Sequence, residues 1–509
     1  MTWNLVVRRF LSVRSARTPR FSNDGRRLYF VCDISGVPQI WVWEEGLLDQ
    51  VTPFEERIWQ LEPSPKGETL AFSMDRGGDE RFQVYLLEGD SLTRVTDGRS
   101  INYLGPWSSG ASLAYTSNSR DPRFFDVYVY DVARGTSRLW METETICTAE
   151  AWLPGVDALV VSLMNTTLDN DLYLVTERKI ALLTEHGGEA CFKSPRPDPE
   201  GRGLFLATNL DREFAGLAYL DLERKSVKYL YEPGWDVELV DVSRDGSVAF
   251  AVNVEGWSEL YLYEPGSKPV KVDLPRGWIE DLRWSPDGKL AIALSTPTRA
   301  PEIYLVERGE WKRVTHMPSM GLREGELSTP YLAKYESFDG VQVPVFVYEP
   351  RRGGRPYPAV VWVHGGPEWQ EHYAFNPLVQ LLAYRGFLVL APNVRGSTGY
   401  GKRYTHMDDV EKRMDALRDL ESLAKWAIEE GLARPGLGIV GISYGGYSVL
   451  ACLAFFPDLW AAGVDIVGIA NLVTFLKNTG PWRRRIREAE YGSLENDLEV
   501  LKRLSPINS

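Results

Sequence analysis

Histidine is scarce in this 509-residue chain: there are five, and none follows His406. The four cysteines, Cys32, Cys147, Cys191 and Cys452, lie far apart, with no Cys-x-x-Cys or Cys/His spacing. That excludes a metal cluster and a disulfide framework, and fits free buried thiols in a reducing compartment. Basic clusters are few. The net charge of −13 argues against a nucleic-acid partner, whose phosphates call for basic patches. The one run, Arg483-Arg484-Arg485 with Arg487, reads as a solvated helix face. Long apolar runs are also missing. Residues 1–11 are interrupted by Arg8 and Arg9 and have neither an h-region nor a cleavage site. Residues 436–456 are apolar enough to suggest a membrane span, but four glycines between Gly438 and Gly446 fit strand, turn and helix better. The expectation is a soluble cytoplasmic protein with no membrane partner.

What is present is core-forming material. With 44% apolar and 12% aromatic residues the chain is not disordered, and its length calls for two or three domains. Between residues 20 and 322 one unit recurs: a turn such as Ser22-Asn23-Asp24-Gly25, an apolar strand, a polar loop, a strand rich in Tyr, Val and Leu, and a further short strand. Its glycines, Gly25, Gly67, Gly110, Gly155, Gly201, Gly246 and Gly288, are spaced by 42 to 46 residues. A period of about 40–50 residues with several strands per unit marks a β-propeller, so seven units predict a seven-bladed β-propeller over 20–322, preceded by an N-terminal segment, 1–19.

Beyond about residue 325 the pattern changes. Apolar runs at 343–348, 359–363, 387–391, 437–440 and 463–467 alternate with helical stretches near 376–384 and 414–430 and after Ser443. This predicts an α/β-hydrolase domain over 323–509, built on a parallel sheet.

Its chemistry centres on Gly441-Ile442-Ser443-Tyr444-Gly445-Gly446-Tyr447. Gly-x-Ser-x-Gly between a buried strand and a small-residue helix is a nucleophile elbow, which makes Ser443 the catalytic nucleophile. The glycine-rich turn Val363-His364-Gly365-Gly366-Pro367 supplies one backbone N–H for an oxyanion and Tyr444 the other. Gly366 is the chosen donor, with Gly365 the alternative. His364 lies within that turn and is expected to orient it. His372 and His406 precede the nucleophile, an order this fold does not use for its base. His186 and His316 fall in propeller segments, on the surface or in satisfied hydrogen bonds. In this fold the Asp and His of the triad follow the Ser, so the general base is absent from these residues, and Asp465, inside a predicted strand, is not the acid.

The turn His364-Gly365-Gly366-Pro367, the stretch from Ala391-Pro392-Asn393-Val394-Arg395-Gly396 to Gly401, and the Ser443 motif together resemble the prolyl oligopeptidase family of serine peptidases. Asp75-Arg76-Gly77-Gly78-Asp79-Glu80 resembles its acylaminoacyl-peptidase branch. The resemblance covers essentially the whole chain. It implies cytosolic cleavage of short peptides, acylaminoacyl-peptides or other oligopeptides, through an acyl-enzyme on Ser443. It implies a propeller that caps the site, no metal and no organic cofactor, and it leaves a homo-oligomer open. It places Ile469, Leu472, Trp482 and Ile486 in an apolar specificity pocket, or equally in ordinary core packing. The acidic pair with which dipeptidyl-peptidase relatives hold a free amino terminus is not evident. In relatives, Leu504-Ser505-Pro506-Ile507-Asn508 leads on to the Asp- and His-bearing turns. The expectation is therefore a C-terminally truncated or degenerate member with an incomplete sheet, inactive alone. A carboxylesterase and a non-catalytic propeller interaction protein are the competing readings.

Overall fold

The computed structural model describes residues 3–509 except Ala111. Its first part is a ring of seven four-stranded antiparallel sheets. The innermost strands are Ala16–Phe21, Ile58–Pro63, Asn102–Trp107, Ile146–Trp152, Phe192–Pro197, Asp236–Val242 and Trp278–Trp284. Each contacts the next, and Trp278–Trp284 closes on Ala16–Phe21. Leu28–Cys32 and Gly203–Thr208, second strands of their blades, are buried along their whole length because neighbouring blades cover both faces. The short outer strands Ser91–Arg94 and Val270–Lys271 are exposed. The turn glycines Gly25, Gly67, Gly155, Gly201, Gly246 and Gly288 all have φ between 68° and 90°, a region that disfavours side chains.

The repeat read from the sequence has three strands and starts one strand late. The innermost strand precedes the glycine turn, and the first begins at Ala16 rather than near residue 20. Inner strands line an axial channel, so they carry charges and prolines, as in Ala-Arg-Thr-Pro-Arg-Phe, and show little apolar alternation. The N-terminal segment divides. Helix Trp3–Leu11 buries Val6 and Phe10 with Leu322, Leu327 and Leu381 against the second domain, while Ala16–Phe21 opens the propeller.

No strand is shared between the first and seventh blades, so side chains close the ring. Ala16, Leu28, Phe30 and Cys32 pack on Ala291, Ala293, Ile303 and Leu305. Along the channel, Arg20 donates to Glu62 at 2.8 Å and to Asp281 at 2.7 Å, and Arg196 donates to Asp241 at 3.1 Å.

The second domain holds a six-stranded sheet in the order Tyr331–Glu336, Gln342–Tyr348, Leu388–Pro392, Ala359–Val363, Leu437–Ile442, Trp460–Ile466. The last four run parallel. The first two form a hairpin through Ser337-Phe338-Asp339-Gly340, and Gln342–Tyr348 is antiparallel to Leu388–Pro392. The sheet is therefore mixed rather than parallel. Strand Tyr331–Glu336 escapes sequence reading because it is largely exposed and lacks a clean alternation. Residues 436–456 form strand Leu437–Ile442 and helix Tyr444–Phe455, and among the described residues no helix is long and apolar enough to cross a membrane. All four cysteines are free and buried.

Strand Trp460–Ile466 lies at the sheet's end, bonded only to Leu437–Ile442 within that sheet. Its middle residues are exposed, Val464 by 50%, with Val467 at 79% just beyond. Unpaired edges of this kind template association. Residues 1–509 are expected to self-associate at micromolar concentration, and Val464→Lys to shift them toward monomer in sedimentation velocity. A monodisperse wild type with slow amide exchange at 462–466 would contradict this.

Candidate active site

Ser443 joins strand Leu437–Ile442 to helix Tyr444–Phe455 with φ 58° and ψ −114°. Its N–H bonds the Ile466 carbonyl at 2.9 Å, and its carbonyl accepts from the N–H of Tyr447 at 2.9 Å. These bonds fix the strained residue from both sides. The packing also explains the glycines around it. A Cβ on Gly441 would overlap the backbone of Gly445, one on Gly445 the carbonyls of Val363 and His364, and one on Gly446 the Asp465 carboxylate. Ser443 itself stays exposed.

The turn after strand Ala359–Val363 approaches the elbow directly. An ideal Cβ on Gly365 would lie 3.3 Å from the Ile442 carbonyl and 3.7 Å from Ser443 Cβ. Gly366 has φ 123°, open in practice to glycine alone. Tyr444 stands in the first turn of its helix, where N–H groups lack intrahelical acceptors. The turn thus meets the elbow through Gly365, with Gly366 next in the chain.

None of the five histidines hydrogen-bonds Ser443 among the described residues. His364 lies behind the turn, with Nε2 2.9 Å from Ser397 Oγ and Nδ1 2.6 Å from the Gly365 carbonyl. Burial pushes it down to about 4, so it is neutral near pH 7. His372 stacks on Trp278 at 4.2 Å, and burial pushes it down to about 3. His406 lies between Asp409 and Glu189, whose hydrogen bonds raise it to about 10. His186 is held by Thr184 and Asp169, and His316 is exposed. Asp465 Oδ1 accepts the Gly468 N–H at 2.7 Å, a turn-closing role.

Sequence reading missed the charges behind Tyr444. Buried Arg413 donates to Asp408 at 2.9 Å and pairs with Glu490, and its guanidinium lies 4.5 Å from the Tyr491 ring and 5.2 Å from Tyr444. Tyr444 Oη donates to Asp408 at 3.2 Å. Burial holds Asp408 above the usual carboxylate range. Asp408, Asp409 and Glu490 come close enough together to ligate a cation. Arg413 already pairs with Asp408 and Glu490, so the cluster suits a guanidinium and not a metal. No sequence motif marks these residues: Asp408 and Arg413 are five apart, but Glu490 lies 77 residues beyond Arg413.

The four pocket candidates do not come together. Leu472 is fully buried in the hydrolase core, where its helix faces Ser505, and Ile469 packs against the same core. Ile486 and Trp482 belong to a cluster with the propeller residues Phe125, Ile146, Trp152 and Val161, Trp482 meeting Phe125 edge-on at 5.5 Å. Leu472 is therefore core packing, while Trp482 and Ile486 dock helix Pro481–Tyr491 on the propeller.

Between the domains, next to the oxyanion turn, lies a cavity of about 290 Å³ walled by Trp278, Trp369 and five carboxylates: Glu189, Glu213, Asp236, Glu238 and Glu368. Lys193 and Lys402 also line it. These carboxylates come from the propeller and from the residue after Pro367. Burial raises Glu238 to about 7, and raises Asp236 and Glu368 above their ordinary range, Glu490 adding to the effect on Glu368.

A propeller seated on an α/β-hydrolase domain with a serine elbow defines a propeller-capped serine hydrolase. The family model described as "Prolyl oligopeptidase family" matches residues 373–509. The chain is 25% identical over 506 residues to dipeptidyl aminopeptidase BIII of Pseudoxanthomonas mexicana, covering 91% of this chain and 71% of that protein. It is 30% identical over 534 residues to an uncharacterized peptidase of Sinorhizobium fredii, covering 93% and 73%. An acylaminoacyl peptidase solved in complex with Z-Gly-Gly-Phe-chloromethyl ketone shares the fold, with a TM-score of 0.75, 22% identity and coverage of 99% of this chain and 85% of that one. The chain belongs to the prolyl oligopeptidase family of serine peptidases.

A pH-dependence of stability follows from buried His372. Its folded pKa lies below the unfolded value of about 6.5, so unfolding takes up a proton below that pH and stability is lost as pH falls toward 3. His372→Phe keeps the stack on Trp278 without that proton. The unfolding free energy of the wild type, measured by urea titration, should fall relative to this variant by about 1.4 kcal/mol per pH unit between pH 6 and 4. A pH-independent difference would show that His372 is protonated in the folded state.

Proposed function

We propose that this protein is a serine peptidase of short peptides in which Ser443 attacks the scissile carbonyl and the N–H groups of Gly366 and Tyr444 hold the resulting oxyanion. The observation that carries this reading is the left-handed Ser443 between strand and helix, with the Gly365-Gly366 turn packed against it. Attack needs a base to take the hydroxyl proton, and loss of a triad member typically lowers turnover by several orders of magnitude. No histidine of residues 1–509 is placed for that step. These residues alone should therefore give no peptide turnover in the range of about 1–10³ s⁻¹ usual for enzymes. With a family-type Asp- and His-bearing segment appended, peptide hydrolysis should appear, and Ser443→Ala should abolish it while leaving the fold intact. Full activity in that Ser443→Ala variant would refute the nucleophile. Turnover of p-nitrophenyl esters but not peptides would favour the carboxylesterase reading.

The cavity supports a finer substrate assignment: a peptide with a free amino end, its ammonium facing Glu238, Asp236 and Glu368, rather than an acylated one. A dipeptide amide should bind residues 1–509 at least about tenfold more tightly than its N-acetyl counterpart in calorimetry at pH 8, a difference in keeping with charge-assisted hydrogen bonds. Protonation of Glu238 near pH 7 removes negative charge, so the preference should weaken between pH 8 and 6. Equal binding, or tighter binding of the acetylated peptide, would favour acylaminoacyl substrates. The free thiols and acidic charge support a cytoplasmic setting without nucleic-acid or membrane partners, and the open edge strand supports a homo-oligomer.

A further inference from the structure

The axial channel of the propeller holds a second space, away from Ser443. The inner strands begin near the hydrolase domain, where Lys193, Asp236 and Trp278 line the interdomain cavity, and end at residues such as Trp107, Trp152 and Pro197. Those three line a channel of about 540 Å³ that shares no lining residue with that cavity. Its wall has two unlike halves. Blades five, seven, one and two supply Arg196, Asp281 with Arg283, Arg20 and Glu62; blades three and four supply Leu104, Pro106, Trp107, Ala149, Ala151 and Trp152. The indole N–H groups of Trp107 and Trp152 are spent on the Glu62 and Pro106 carbonyls, at 2.9 and 3.0 Å, so these rings offer apolar surface alone. Glu150, also on that side, accepts from Thr148 at 2.5 Å.

On the charged side the pairing is unequal. Arg20 takes Glu62 at 2.8 Å and Asp281 at 2.7 Å, and Arg196 takes Asp241 at 3.1 Å. Asp241 also accepts the Trp284 N–H at 2.7 Å. Arg283 is left to share. Its Nη1 lies 3.4 Å from the Asp241 oxygen that Arg196 already uses, and its Nη2 lies 3.6 Å from the Glu62 oxygen that Arg20 uses. Its Nε has no hydrogen-bond partner among the described residues. A guanidinium carries five N–H donors and bonds carboxylates at about 2.7–2.9 Å, so Arg283 is under-bonded. Burial, and the Arg20 and Arg196 charges beside it, push its guanidinium below the ordinary range. One more anion against Arg283 relieves both conditions.

We propose that this channel binds a monocarboxylate with an apolar body, its carboxylate on Arg283 and its body against Trp107 and Trp152. One under-bonded guanidinium calls for one negative charge, whereas the second charge of a phosphate meets Glu62, Asp281 and Glu150. The apolar half of the wall takes hydrocarbon out of water, which an inorganic ion does not use. A free organic acid and the apolar C-terminal residue of a peptide share this chemistry. The assignment rests on the propeller alone and is independent of Ser443 and of the peptidase reading.

The test titrates 3-phenylpropanoate and N-acetyl-phenylalanine, one for each source, into residues 1–509 by calorimetry at pH 8. At least one should bind about tenfold more tightly than 3-phenylpropanamide, the margin of a charge-assisted hydrogen bond over a neutral one, and inorganic phosphate should not compete. Binding of 3-phenylpropanoate alone assigns a free acid, of N-acetyl-phenylalanine alone a peptide C-terminus, and of both a site that takes either. Arg283→Gln should remove the margin between carboxylate and amide while leaving the amide's own binding unchanged, which a general loosening of the propeller does not do. Photo-crosslinking by 4-benzoylbenzoate, mapped by mass spectrometry, should place adducts within residues 104–107 and 149–152, and 3-phenylpropanoate should suppress them. This mapping uses the wild type and decides the matter if Arg283→Gln does not fold. Equal binding of carboxylate and amide, displacement by phosphate, or adducts confined to other parts of the chain would overturn the site.

Discussion

A serine at φ 58° between a strand and a helix is a conformation that an L-residue adopts only under compulsion, and much of the second domain supplies it. The parallel strands set the direction of approach, with Ile466 taking the Ser443 N–H and Tyr447 returning a bond to its carbonyl. Three glycines exist because backbone and carboxylate occupy the places where their side chains would stand. The neighbouring turn at Gly365 lies in van der Waals reach of the nucleophile for the same reason. The same closeness that holds Ser443 in its strained turn brings the Gly365 turn against it.

The parts of this structure that were legible in the sequence are those dictated by local backbone demands. The elbow could be read because only small residues survive beside Ser443. The propeller could be read because six of its seven blades turn through a left-handed glycine and its second strands are largely apolar. Strands whose surroundings are polar left no comparable mark. The inner strand Ala16–Phe21 faces a channel lined by Arg20, Glu62 and Asp281, and so looks like a loop. Tyr331–Glu336 is a half-exposed edge. The candidate site divided in the same way. Ser443, Tyr444 and Gly366 were named from motifs, whereas the acidic cavity was invisible because its carboxylates come from separate blades and from Glu368. Apolar residues carried least information: Leu472, Ile469, Trp482 and Ile486 look alike in a sequence, yet two face one core and two face the other domain.

The interface between the domains combines two kinds of contact with different physical responses. Aromatic packing around Trp278, Trp257 and Trp482 resists solvent and holds the domains together. The charged contacts of Glu189 and Glu213 with segment 401–409 are directional and screened by ions. An interface built wholly of the first kind would seal the cavity, and one built wholly of the second would not hold the propeller in place. The two kinds also sit side by side, as where Glu255 pairs with Lys334 at 2.7 Å two residues from Trp257.

Helix Pro481–Tyr491 shows how closely docking and catalysis are tied. One side of it, through Ile486 and Trp482, is packed into the propeller's apolar cluster. Its end turns toward the site: Tyr491 Oη donates to the Gly366 carbonyl at 3.4 Å, and Glu490 pairs with Arg413, which in turn holds Asp408 beneath Tyr444. Gly366, at its carbonyl, and Tyr444, at its side chain, are therefore both tied to a helix whose other face belongs to the opposite domain. Thr167 of the propeller adds a hydrogen bond to Glu368, two residues beyond Gly366. A displaced propeller would loosen these supports before it touched Ser443. In this architecture the surroundings of the proposed oxyanion donors depend on the propeller's being in place.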